Sequence, residues 1–66
     1  MIEFKCKKCG GLLNWEDTYR TYGSIKDGYR VERQLWSCEH CQTDYTIEQK
    51  IDFNPSDAKV LDFQEA

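Results

Sequence analysis

The chain has 66 residues and a formal charge of −3. That is enough for one small domain, and too little to bury a large apolar core. No apolar run approaches the roughly 20 residues that cross a bilayer, and "MIEFKCKKCG" lacks the apolar stretch of a secretory signal, so a cytoplasmic location is expected. The acidic balance argues against extensive phosphate binding, leaving room only for a local basic patch.

Residues 2–5 alternate, with Ile2 and Phe4 against Glu3 and Lys5, and predict a short strand leading into Cys6. Cys6-Lys7-Lys8-Cys9-Gly10-Gly11 is a tight turn whose glycines suit positive φ. Residues 12–22 are rich in Trp, Tyr and Thr and predict a strand. Residues 23–28, "GSIKDG", predict a turn. In the next strand Tyr29, Val31 and Leu35 share one side and Arg30, Glu32 and Gln34 the other, with Trp36 interrupting the pattern before the second cysteine pair.

Residues 45–53 give the clearest alternation. Tyr45, Ile47, Ile51 and Phe53 lie on one face, with Gln49 the polar exception. Asn54-Pro55 closes that strand, and an Asn cap followed by proline predicts the start of a short helix. This divides the chain into residues 1–54, carrying the motif, and an acidic tail or short helix at 55–66. Deleting that tail is expected to leave the fold largely intact.

Cys6, Cys9, Cys38 and Cys41 form CxxC–x28–CxxC. Two intervening residues let one turn aim both sulfurs at a single ion. Two such turns face to face supply four sulfurs at the ~2.3 Å tetrahedral positions that zinc accepts. Reduced cytoplasmic thiols in this pattern point to metal ligation rather than disulfides. With four thiolates and one divalent ion the net charge becomes about −5.

"CKKCGG", a strand hairpin, "CEHC" and a further strand resemble the zinc ribbon family. The resemblance spans roughly residues 4–53. It implies a small all-β, metal-stabilised domain, with two knuckles over a three-stranded antiparallel sheet and one structural Zn2+ held by Cys6, Cys9, Cys38 and Cys41. Gly10 matches the glycine that usually follows a knuckle in this family. Gln42, at the corresponding place in the second knuckle, does not, which implies either a distorted turn or a left-handed glutamine. A weaker resemblance is to rubredoxin, which implies iron and electron transfer. It departs at Cys38-Glu39-His40-Cys41-Gln42, where rubredoxins usually carry Cys-Pro-x-Cys-Gly. Four sulfurs alone do not separate zinc from iron.

Stand-alone catalysis is not expected. Four thiolates close the site that a catalytic zinc keeps open for water, and His40, the single histidine, reads as a solvated knuckle-tip residue. No phosphate-binding glycine loop is present, and no small-molecule substrate or membrane is implied. What remains is recognition. A protein-interaction adaptor or accessory factor would use aromatic anchors such as Tyr22, Tyr29 and Trp36. The alternative, a nucleic-acid-binding ribbon, would use Lys5, Lys7, Lys8, Arg30 and Arg33 beside stacking aromatics.

Overall fold

The computed structural model describes residues 3–66, so the share of the first predicted strand carried by Ile2 lies outside the described residues. Four strands follow one another: β1 (Leu13–Ser24), β2 (Tyr29–Cys38), β3 (Asp44–Phe53) and β4 (Ser56–Glu65). They form one antiparallel sheet in the order β1-β2-β3-β4, each strand hydrogen-bonded to the next in sequence. The sheet is therefore four-stranded, not three-stranded as expected, and residues 56–65 form a strand where an acidic tail or short helix was expected.

The fourth strand has a physical reason. The apolar face of β3 would otherwise end at an open edge, and β4 places Phe63 opposite Ile47 and Ala58 opposite Ile51. A register shift between Glu48 and Gln49 leaves Leu61 outside the one-to-one pairing. Val60 and Phe63 therefore share a face although three residues apart, a spacing that in sequence reads as helical. Asn54-Pro55 is a cis peptide joining β3 and β4 in a two-residue turn, with Phe53 paired to Ser56.

The core lies at one end of the elongated sheet. Phe4, Cys6, Leu13, Cys38, Tyr45 and Ile47 are buried together, with Trp36 and Phe63 packed against them. The segment before β1 folds over this end of the sheet. It is held by the Leu13 amide donating to the Phe4 carbonyl at 2.8 Å and by a bridge between Lys5 and Leu12. Phe4 stands edge-on to Trp36 at 4.9 Å between centroids. Such edge contacts add about 0.5–1.5 kcal/mol each beyond the area they bury.

Trp36 does not interrupt the alternation of β2. Its indole N–H donates to Gln34 Oε1 at 2.8 Å, and Gln34 Nε2 donates to Glu32, so the three share a face. Gln49, the polar exception on β3, reaches the same acceptor and donates to Gln34 Oε1 at 3.0 Å. Both glutamines are buried. Together they carry the core away from the cysteine end without leaving polar atoms unpaired. At the edge, β1 has register irregularities between Trp15 and Asp17 and between Thr18 and Arg20. Such bulges discourage strand-to-strand association.

Candidate metal centre

Each cysteine pair is carried by a turn with the same backbone hydrogen bonds. In the first, the Gly10 amide donates to the Cys6 carbonyl at 2.9 Å and the Cys6 amide to the Gly11 carbonyl at 2.7 Å. In the second, Gln42 donates to Cys38 at 2.9 Å and Cys38 to Thr43 at 3.0 Å. Gly10 and Gln42 thus occupy matching positions, and both are left-handed, at φ 75° and 54°. The second knuckle keeps the turn geometry and accepts a glutamine in a conformation that glycine adopts at no steric cost.

The fold brings the two knuckles together because β1 begins just after the first and β2 ends in the second, with Leu13 paired directly to Cys38. All four Sγ atoms lie within 4.8 Å of one another. Cys6 and Cys41 approach to 3.3 Å, and Cys9 and Cys38 to 3.4 Å. A tetrahedron with ~2.3 Å metal–sulfur bonds has edges of about 3.8 Å, so the cluster is the right size for one ion. All four cysteines are free thiols; Cys6 and Cys38 are buried, while Cys9 and Cys41 are exposed. The four cysteines can hold one metal ion, as their spacing predicts.

The groups around the sulfurs favour negative charge there. The Lys8 amide points at Cys6 Sγ (3.4 Å) and the Gly11 amide at Cys9 Sγ (3.5 Å). Cys41 differs, its thiol donating to Thr43 Oγ1 at 3.3 Å. The hydroxyl of Tyr45 is 3.3 Å from Cys6 Sγ. That contact brings the Cys6 thiol down to about 6, against the opposing effect of burial. Amides led by that of Cys41 lower Cys38 in the same way. Cys9 moves the other way: the Gly11 amide favours its thiolate, but proton sharing with Cys38 and burial outweigh it, and the thiol is pushed up to about 12. Four adjacent sulfurs cannot all ionise unaided, so some surrender protons while others retain them. A divalent cation at the centre removes that restriction.

His40 is exposed and is not part of the sulfur cluster. Its ring lies over Gly11, where a Cβ would meet His40 Cδ2 at 2.9 Å and Cys9 Sγ at 3.4 Å. Gly11 thus lets the His40 ring approach, while Gly10 supplies the positive φ.

Most of the basic residues considered for nucleic acid are engaged within the chain. Lys7 Nζ donates to the Phe63 carbonyl at 2.9 Å and sits 4.5 Å from the centre of its ring. Lys8 pairs with Glu65 at 2.9 Å, a contact that also raises the Lys8 ammonium's pKa. Arg30 pairs with Glu32 and lies over Phe53. Arg33 faces Glu48 at 3.8 Å and Asp62 at 3.9 Å. Lys5 is exposed beside the first knuckle.

Among the aromatics proposed for protein contact, Tyr22 is exposed, with Arg20 over its ring. Tyr29 is half-buried beneath Lys50, and Trp36 is half-buried in the core. Exposed apolar side chains instead gather along β1 and its turn, at Leu12, Trp15, Tyr19, Tyr22 and Ile25.

Sequence reasoning placed Tyr45 on the apolar face of β3, where it is, but attached no role to its hydroxyl. A tyrosine at an otherwise aliphatic buried position is itself the available signal, because its O–H needs a partner. No family model, no curated protein and no solved structure matches this chain.

Proposed function

We propose that this chain is a non-catalytic, cytoplasmic zinc-binding module that serves as a protein-interaction adaptor or accessory factor. The ion is structural. Four thiolates fill a tetrahedral shell and leave no position for substrate or water. Zinc is favoured over iron because the 28 residues between the knuckles form a continuous hairpin of β1 and β2, as in the ribbons this sequence resembles.

One observation carries the choice of partner: Lys8, Arg30 and Arg33 each face a carboxylate of the same chain, and the Lys7 ammonium is occupied by the Phe63 carbonyl. Phosphate binding draws its free energy from neutralising charge and releasing counterions, and cations already neutralised by neighbours contribute less. The aromatic side chains of β1, Trp15, Tyr19 and Tyr22, are about half exposed, and Trp and Tyr are favoured anchors in protein interfaces.

Metal content and the visible spectrum test the first part, on protein purified with zinc and iron both supplied. One zinc per chain and no colour is expected; a red iron protein would make the chain an electron carrier. Titration with single- and double-stranded oligonucleotides across a salt series tests the second part. Affinity that falls steeply with salt would move the function to nucleic acid. A photo-crosslinker at Tyr22, used in the native host, is expected to capture a defined protein, and the absence of any adduct would count against the adaptor reading.

A further inference from the structure

We infer that the Tyr45 hydroxyl belongs to the metal centre, where it donates a hydrogen bond to the Cys6 sulfur and fixes the position and charge of that ligand. The inference rests on the metal-binding reading above and adds a residue that the CxxC pattern does not contain.

Tyr45 is the second residue of β3 and is only 1% exposed. Its ring is fixed on one side by Phe63, edge-on at 5.3 Å and 76°. Its backbone is paired to Trp36 and to Glu65, so β3 holds it between two neighbours. The hydroxyl is left at one place, between the Lys7 amide and Cys6 Sγ. The Lys7 N–H donates to the phenol oxygen at 3.2 Å. That uses the oxygen as acceptor and leaves its own hydrogen to be placed, and Cys6 Sγ lies 3.3 Å away. A buried phenol with an unplaced O–H would be costly, and a thiolate is the stronger acceptor for it.

The result is a polarised relay from amide to phenol to sulfur, in which each bond strengthens the next. Cys6 receives the Lys8 amide as well, so two donors meet this sulfur, while the Gly11 amide meets Cys9. Four thiolates around a divalent cation leave net negative charge on the site. Donors that share this charge stabilise the loaded centre and weaken the sulfur as a nucleophile. Tyr45 is therefore a positioning residue. It also ties the loaded centre to the core, since the same side chain packs on Phe63 of β4.

The test uses the full chain and cobalt(II) as a spectroscopic probe, with zinc competition for affinity. Tyr45→Phe keeps the ring and its packing and removes only the hydroxyl. The variant should still give a four-sulfur cobalt spectrum. Its sulfur-to-cobalt charge-transfer band should move to lower energy, because a thiolate stripped of a donor is easier to oxidise. Zinc affinity should fall about 10–100-fold, the range for lost partners of metal ligands. An unchanged band and unchanged affinity would overturn the inference and leave the metal-binding reading standing. A wild-type chain that takes up neither cobalt nor zinc would overturn both. Should Tyr45→Phe fail to fold, site-specific difluorotyrosine at position 45 replaces it. Its more acidic hydroxyl should shift the band to higher energy, and no shift would reject the hydrogen bond.

Discussion

Phe63, near the end of β4, meets Phe4, near the start of the chain, edge-on with ring centroids 5.7 Å apart at 78°. The two ends of the sequence therefore close one core, with Tyr45 and Trp36 as the remaining aromatic partners. Phe63→Ala should cost about 3 kcal/mol, toward the lower end for a buried aromatic because the ring is partly exposed. Deleting residues 55–66 removes a whole strand together with this ring, and should abolish cooperative melting of the metal-loaded protein, contrary to what the sequence alone suggests. Thermal denaturation followed by circular dichroism checks both. A truncated chain that melts as the full one does would mean that β4 adds nothing to the core.

The two knuckles give the second prediction. Gly10 and Gln42 hold matching left-handed positions, but only one is glycine. A non-glycine residue there costs about 1–2 kcal/mol, partly offset by the greater freedom glycine has when unfolded. Gln42→Gly should therefore stabilise the domain by up to about 1 kcal/mol, raising Tm by about 4–8 °C for a domain of this size. A lower Tm would mean that the Gln42 side chain contributes contacts worth more than its backbone strain.

How much of this was legible in the sequence differs by element, for physical reasons. The cysteine spacing gave the cluster because two residues between ligands leave a turn little freedom. Strand β1 was legible from its Trp, Tyr and Thr content, and β2 and β3 from apolar residues that repeat with period two, with the glycine turn at 23–28 separating the first two. β4 was missed because its bulge at Leu61 turns a two-residue period into a three-residue one, and because Asn-Pro serves equally as a helix start and as a tight turn. Trp36 reads as a break in β2 because the residues that alternate with it, Gln34 and Glu32, are polar. Gln34 is in fact buried and holds the indole N–H. Hydrophobic pattern alone does not report a side chain buried through its hydrogen bonds.

That glutamine network yields an asymmetric prediction. Gln34 Oε1 accepts from both Trp36 and Gln49, so both of its lone pairs are used. Gln34→Leu strips a buried donor, Gln49, and a part-buried one, Trp36, of their acceptor at once and should destabilise by about 1–3 kcal/mol for each one left unpaired. Gln49→Leu removes a donor and leaves Gln34 still bonded to Trp36 and Glu32, so it should cost less than about 1 kcal/mol. Urea denaturation of the two variants measures the difference. Equal losses would mean that the network contributes through packing rather than hydrogen bonding.

Removal of the metal should have the largest effect. The sheet has one compact core at the cysteine end, and Cys6 and Cys38 are themselves members of it. A core of this size supplies only about 3–5 kcal/mol, whereas a structural zinc contributes about 10–16 kcal/mol in zinc-finger peptides. Without the ion the four sulfurs also compete for protons within a few ångströms, which opposes closing the two knuckles. Chelation, or Cys38→Ala, should therefore abolish the cooperative melt and the near-ultraviolet signal of Trp36 together, and zinc should restore both in the chelated wild type. Cys38 is the severer choice because it is 1% exposed and paired to Leu13, so its loss opens the core as well as the shell. A metal-free chain that still melts cooperatively would show that the aromatic cluster of Phe4, Trp36, Tyr45 and Phe63 is sufficient to hold the sheet.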